Sequence, residues 1–416
     1  MTPSFPRSVA LINPLGDFGI DTYTHELALG LAANGVRVDV YTSDTSRLRV
    51  PSQPNYRRFH VIGSHLPAVL EDATGRRPPA TALSRLSNPA AIVGMQPPRP
   101  AWWKALLRKY YLPAQLAFRL KREKYDIVWT QWPDLGANEG FWQWSRLLGI
   151  PVVHTVHNIL PHERTEGDKL AADTAYRTAQ VLFVHSTAVS NEFAEVFPTY
   201  ARKAVVIPHG TYTIYPRLRE ARARLRAELA IAPEQVVLLI CGGIRPYKNV
   251  NACISAVAAL DRDDVVLIIA GSEPGASPGN PLADITRRVE AAGIQSRVRL
   301  LPGYRDEAGI AEVFEASDVL LLPYLKSYGS GLLMLGITFG KYVLATRSGM
   351  EESVSAYPRG ILLDGSSPSN IMGGILVAAA RVRADPGPLD TISPTLKWDC
   401  IARSCMEACR NRHPDV

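Results

Sequence analysis

Short, uninterrupted apolar runs, each followed by a helical pattern, set the strongest limit on what this chain can fold into. SVALINPL precedes the helical THELALGLAANG, which stops at Asn34-Gly35, and VRVDVYTS follows. After residue 124 the pattern resumes with YDIVWTQ, PVVHTVH, VLFVHS and KAVVIPHG, then again with VVLLICGG, VVLIIAGS, VRLLPG, DVLLLPY and YVLAT. Continuous apolar strands are buried on both faces, and helical crossovers make them parallel. At 416 residues the chain is long enough for two such units. The polar helical stretch after Gly210 predicts a bridge between them. The last segment, LKWDCIARSCMEACRNR, reads as an amphipathic helix whose cysteines Cys400, Cys405 and Cys409 are core residues rather than metal ligands.

Composition narrows the class. Hydrophobic residues at 46% and charged residues at 20% exclude a disordered or fibrous chain. No apolar run reaches the roughly 20 residues that span a bilayer. The apolar stretch near the N-terminus is broken by Pro14 and Gly16 too early for a secretion signal. Five cysteines without paired spacing predict a reduced, cytoplasmic protein.

The net charge of +7 is concentrated: residues 45–124 hold 15 Lys/Arg against Glu71, Asp72 and Glu123. That window should face an anionic partner. No zinc spacing, RNP-like string or helix-turn-helix pattern accompanies it, so nucleic acid is not expected. Trp102, Trp103, Leu106, Leu107, Tyr110 and Tyr111 recur at helical spacing with Lys104, Arg108 and Lys109 between them. Aromatic rings settle at headgroup level while basic heads meet anionic lipid, so a membrane surface is one expectation. A core helix with a solvated basic face is the other. No regular structure is assigned between Pro51 and Pro100.

Ligands of doubly wound sheets bind beyond the carboxyl ends of strands, where the chemistry-bearing motifs sit. Gly16-Asp17-Phe18-Gly19 follows the first strand as a glycine loop opening a helix. Arg245 and Lys248 in GGIRPYK are two cations at a turn entering a helix, suited to a diphosphate. Tyr328-Gly329-Ser330-Gly331 opens a helix whose amides can face an oxygen-rich ligand, with Ser330 either capping it or bonding a phosphate. In PVVHTVHN, His154 and His157 end a strand. His157 is the one expected to reach a ligand, and a core role stands open for both.

In order, the glycine loop, PVVHTVHN, VIPHG, GGIRPYK, LIIAGS, GYRDEAGIAEVFEASDVLLLPY and SGLLMLGITFGKYVLAT resemble a GT-B-fold glycosyltransferase, nearest to glycosyltransferase family 4 and bacterial exopolysaccharide relatives. The resemblance implies an α/β fold of two Rossmann-like doubly wound parallel-sheet domains facing a cleft. An acceptor-side domain would span residues 1–212, with 45–124 its basic part, and a nucleotide-sugar domain residues 213–395. The C-terminal helix, 396–416, would return to the N-terminal domain. It implies that Gly19, Arg245, Lys248, Gly329, Ser330 and Gly331 hold the donor phosphates and that His157 lies near the donor sugar. Where many family members carry two glutamates, this chain has Ser327 and Leu335, so Ser327, Tyr328 and the acidic Glu351 and Glu352 become donor-binding candidates.

The expected activity is hexose transfer from a GDP- or UDP-sugar to a sugar acceptor, a lipid-linked oligosaccharide in exopolysaccharide or surface-glycan assembly. The enzyme would be peripheral on the inner membrane face. The motifs hold no Asp-x-Asp pair, so neither metal nor cofactor is expected. Asp17 is the first candidate for a base on the acceptor and His157 the second. Inverting and retaining outcomes both stay open, as do a non-catalytic sugar-nucleotide-binding role and a sugar-nucleotide epimerase.

Overall fold

In the computed structural model the described residues are 6–15, 18–43, 46, 48, 54–62, 112–133, 139–160, 166–272, 281–387, 389 and 391–412. They form two compact units, one of residues 1–210 with 395–416 and the other of residues 211–394.

The first unit holds seven strands: β1 (Ser8–Asn13), β2 (Arg37–Ser43), β3 (Tyr56–Ile62), β4 (Ile127–Thr130), β5 (Val152–Thr155), β6 (Val181–Val184) and β7 (Ala204–Val206). They lie in the order β3-β2-β1-β4-β5-β6-β7, every described pair parallel. Sequence periodicity finds six of the seven. β3 is the exception: it falls in the stretch assigned no regular structure, because YRRFHVI carries two arginines where a buried run was sought. Those arginines are paired by carboxylates of neighbouring elements. Arg57 pairs with buried Asp39 at 2.6 Å, and Arg58 pairs with Asp21, both side chains buried. The strand is therefore held by charge as well as by its ladder, which an apolar pattern cannot reveal.

The second unit holds six strands: β8 (Val236–Cys241), β9 (Val265–Gly271), β10 (Val298–Pro302), β11 (Val319–Leu322), β12 (Tyr342–Thr346) and β13 (Gly360–Leu363). Their order, β10-β9-β8-β11-β12-β13, repeats the doubly wound plan of the first unit. The core is built from inward residues such as Leu238, Ile240, Leu267, Ile269, Leu321 and Leu344 with Ile254, Val257, Ile371 and Ile375 of the covering helices. The polar stretch after Gly210 yields one helix, Ala221–Glu228, tied down by Arg222 and Arg226, which both pair with Asp318 at 2.7 Å.

The C-terminal helix Trp398–Arg412 packs in the first unit against the helix Phe18–Ala33. Asn34 Nδ2 donates to the Asp399 carbonyl at 2.8 Å. Trp398 meets Tyr23 edge-to-face at 4.9 Å, and a Cβ at Gly210 would come within 2.4 Å of its indole. Cys405 and Cys409 are buried in this interface, and burial pushes the Cys409 thiol up to about 12, the behaviour of an inert core thiol.

Candidate active site

In the second unit three neighbouring strands, β8, β11 and β12, each end in a loop that carries candidate residues. β8 runs out at Cys241 into Gly242, whose φ of +85° only glycine adopts without strain. A side chain there would also collide with Lys248, since a Cβ would stand 3.0 Å from Nζ. Lys248 folds back so that Nζ donates to the Cys241 carbonyl at 3.0 Å and lies 5.9 Å from the centre of the Tyr324 ring. The side chain is 7% exposed. Burial pulls its ammonium down to about 8, against the Cys241 thiol, which raises it, and with Arg245, which lowers it further. An ammonium offers three donors, and one carbonyl and one ring face do not exhaust them. Arg245 stands in extended backbone just before the 3-10 turn Pro246–Lys248 and is half-buried. The sequence-predicted pair is thus brought together.

After β11 the chain passes through Ser327, buried Tyr328 and Gly329 into the helix Gly331–Thr338. Ser330 caps that helix, its Oγ accepting from the Leu333 amide at 3.3 Å. Ser327 Oγ donates to the Gly329 carbonyl at 2.6 Å and accepts from the Gly329 amide, so it fastens its own turn. Gly329 has φ +132°, and a Cβ on Gly331 would come within 2.6 Å of Tyr212 Oη. After β12, Gly349 packs so closely on Ser327 that a Cβ would lie 2.4 Å from its carbonyl oxygen. Glu351 accepts from the Gly349 amide at 2.9 Å, while Glu352 is exposed. Leu335, where a glutamate would be expected, is buried in the helix.

The first unit arranges different chemistry beyond the carboxyl ends of its own strands. His154, in β5, is wholly buried and bonded through Nδ1 to Thr130 Oγ1 at 2.8 Å, which settles it as a core residue. His157 lies two residues beyond β5, half-buried, with Nε2 3.1 Å from Gln131 Oε1. Its ring meets Tyr23 at 4.6 Å and His185 at 5.6 Å. His185 and His209, which follow β6 and β7, are 5.3 Å apart and lie 5.3 and 5.0 Å from Tyr23. Burial keeps all three imidazoles neutral: it holds His157 well below its usual value and takes His185 to about 3 and His209 to about 4. Sequence reading singled out His157 but missed His185, His209 and Tyr23. The signal was there, because both histidines end apolar runs, in VLFVHS and VIPHG.

Gly19 lies in the first turn of the helix Phe18–Ala33, exposed, with open space where a Cβ would stand. Asp17 and the membrane-docking candidates Trp102, Trp103, Lys104, Arg108 and Lys109 lie outside the described residues. The charge of the basic window is not all presented outward, since Arg57 and Arg58 are paired internally and Arg119 lies over the Tyr41 and Phe59 rings.

Comparison with known proteins agrees with the fold. The family description Glycosyltransferase Family 4 matches residues 19–213, and Glycosyl transferases group 1 matches residues 235–379. A D-inositol 3-phosphate glycosyltransferase of Corynebacterium glutamicum (strain R) is 27% identical over 373 residues, covering 84% of this chain and 80% of the relative. Among solved structures, Anabaena Alr3699/HepE in complex with UDP-glucose superposes with a TM-score of 0.64 at 16% identity, covering 98% of each chain. The catalytic domain of Arabidopsis thaliana starch synthase IV, bound to ADP and acarbose, does so with a TM-score of 0.70 at 13% identity, covering 98% of this chain and 99% of that one. Two doubly wound parallel sheets and these two matched regions make the chain a member of the GT-B-fold glycosyltransferases, its N-terminal part of family 4 and its C-terminal part of group 1.

Proposed function

We propose that the chain transfers a hexose from a UDP- or GDP-sugar to a sugar acceptor, a lipid-linked oligosaccharide of exopolysaccharide or surface-glycan assembly. The observation that carries the donor half is Lys248: a buried ammonium, bonded to one carbonyl, beside a glycine turn and near a capped helix start. When the bond from the anomeric carbon to phosphate breaks, negative charge grows on the departing diphosphate. Lys248, Arg245 and the first-turn amides of the helix Gly331–Thr338 supply positive charge for it, so the reading needs no metal ion. UDP is the first nucleotide to try, because HepE is known in complex with UDP-glucose.

On the acceptor side, His157 is a neutral imidazole. With Nε2–H donating to Gln131 Oε1, the basic lone pair falls on Nδ1, the tautomer a general base requires. Asp17, the first candidate from the sequence, stays open as the base. If the leaving phosphate takes the acceptor proton, both groups only position the hydroxyl. A membrane surface is favoured by the helix Leu112–Glu123, which directly follows the aromatic and basic segment. Its Phe118 is 51% exposed and rests on Trp144 at 5.4 Å, Lys121 and Arg122 are exposed on the same helix, and Leu147 on the neighbouring helix is 74% exposed.

Two measurements test the reading. UDP-, GDP- and dTDP-sugars screened by thermal shift should give one nucleotide that raises the melting temperature, and none doing so removes the donor assignment. Vesicle flotation should recover the protein with anionic but not neutral lipid, and equal recovery removes the docking assignment.

A further inference from the structure

The second unit has a cavity that the transferase chemistry does not use. It lies at the amino ends of β11, β12 and β13, whereas the donor loops leave the carboxyl ends of β8, β11 and β12. Strands of four or five residues separate the two by roughly 15 Å. The cavity is about 220 Å³, smaller than the pockets that enclose drug-sized ligands. Asp318, Lys341 and Arg359 each directly precede one of the three strands and line it, together with Arg219, Arg222 and Glu315.

Most of these charges already have partners. Arg222 pairs with Asp318 at 2.7 Å and donates to the Glu315 and Ser317 carbonyls. Arg359 pairs with Asp385, donates to the Gly340 carbonyl at 2.8 Å and lies over the Tyr342 ring. Two groups are left over. Lys341, 6% exposed, has among the described residues one contact for its three donors, the Glu315 carbonyl at a long 3.4 Å, and no carboxylate within ion-pair reach. Glu315, also 6% exposed, has a buried Oε1 with no hydrogen-bond partner. Burying an under-bonded ammonium and a carboxylate oxygen costs stability unless something completes them. The pull of burial is visible on Lys341, which is taken down to about 8.

We infer that this cavity binds a small hydroxylated phosphate ester, of hexose-phosphate size, as a second ligand apart from the donor. Four cationic side chains against two carboxylates leave the lining two charges positive, matching a phosphate monoester dianion. The phosphate would take the spare donors of Lys341 together with Arg219 at the rim. A hydroxyl of the ligand would donate to Glu315 Oε1. Neither inorganic phosphate, which has no alcohol hydroxyl set apart from its phosphoryl oxygens, nor a neutral sugar satisfies both groups.

The test is calorimetric titration of the full chain with glucose 6-phosphate, inorganic phosphate and glucose, each with and without saturating UDP. Glucose 6-phosphate should bind one to one, with the same affinity whether or not UDP is present. Inorganic phosphate should bind at least fivefold more weakly and glucose not at all. Lys341→Met should weaken glucose 6-phosphate at least tenfold while leaving UDP affinity within twofold. Glu315→Ala should bring the ester down to the affinity of inorganic phosphate. Should Lys341→Met fail to fold, Arg219→Ala, an exposed position, should still cost several-fold. Absence of binding, displacement by UDP, or unchanged affinity in the variants that fold would each overturn the inference. Failure of UDP to bind would count against the donor site alone.

Discussion

The two units share one strand plan and put opposite chemistry at its carboxyl ends. All nine histidines of the chain fall in the first unit, and His157, His185 and His209 cluster there as neutral rings around Tyr23. The second unit has none and places Lys248 beyond the carboxyl end of β8, the counterpart of β1. A neutral imidazole exchanges a proton with a hydroxyl, whereas a cation beside helix amides holds a phosphate. The strand plan is thus indifferent to chemistry, and the residue after each strand decides which half of a transfer reaction a unit can serve.

The largest expected break between the units comes with acid. His25 and His209 are lowered to about 4, and His154 and His185 to about 3, by burial. Their unfolded value is near 6.5, so the unfolded state takes up protons first, and stability present above pH 6.5 is lost as pH falls toward 4. At pH 5 each imidazole costs about 2 kcal/mol, and four together rival the 5–15 kcal/mol of a whole domain. Hydrogen exchange at pH 7 and pH 5 should show protection collapsing around β5, β6 and β7 while β8, β9 and β11 hold. Equal loss in both sheets would erase the distinction.

Trp398 gives the next effect. Its indole fills the space that Gly210 leaves open and closes the ring cluster from the C-terminal helix. Trp398→Ala should cost the first unit about 3–5 kcal/mol. Calorimetry should then split into two transitions, with only the lower one moved. A single shifted transition would mean that the units melt together.

Lys248→Ala sharpens the comparison from the other side. It should weaken UDP by about 1.5–3 kcal/mol, the scale of a charged hydrogen bond, and leave the acid transition untouched. Because the ammonium titrates near 8, wild-type UDP affinity should fall as pH rises above 8, and the variant should lose that dependence. A flat wild-type profile from pH 7 to 9.5 would take Lys248 out of the phosphate site.

Most of the scaffold was legible because parallel strands buried on both faces leave continuous apolar runs, and the runs read from the sequence account for eleven of the thirteen strands, all but β3 and the short β13. β3 was not, since its arginines are paired with Asp39 and Asp21, partners far away in sequence. The same limit applies to the site. Arg245 and Lys248 are three residues apart and could be read together, and so could the helix start at Ser330. The histidine cluster needs four segments to converge on Tyr23, and the cavity by Lys341 needs three strand starts to be neighbours. Local spacing carries neither.

Ser330 carries the smallest effect and separates two roles that one atom can play. As a cap, its Oγ relieves one orphan amide of the helix Gly331–Thr338, so Ser330→Ala should cost about 1 kcal/mol of stability in the second unit. Ser330→Asp keeps an equally good cap and should restore that stability to within a few tenths of a kcal/mol, but it sets a carboxylate where the diphosphate is proposed to lie. If the helix start receives phosphate, the aspartate variant should be as stable as wild type yet bind UDP at least fivefold more weakly, and Ser330→Asn, a neutral cap, should bind normally. If UDP affinity instead follows stability across all three variants, Ser330 only caps, and the anion is held by Lys248 and Arg245 without the helix.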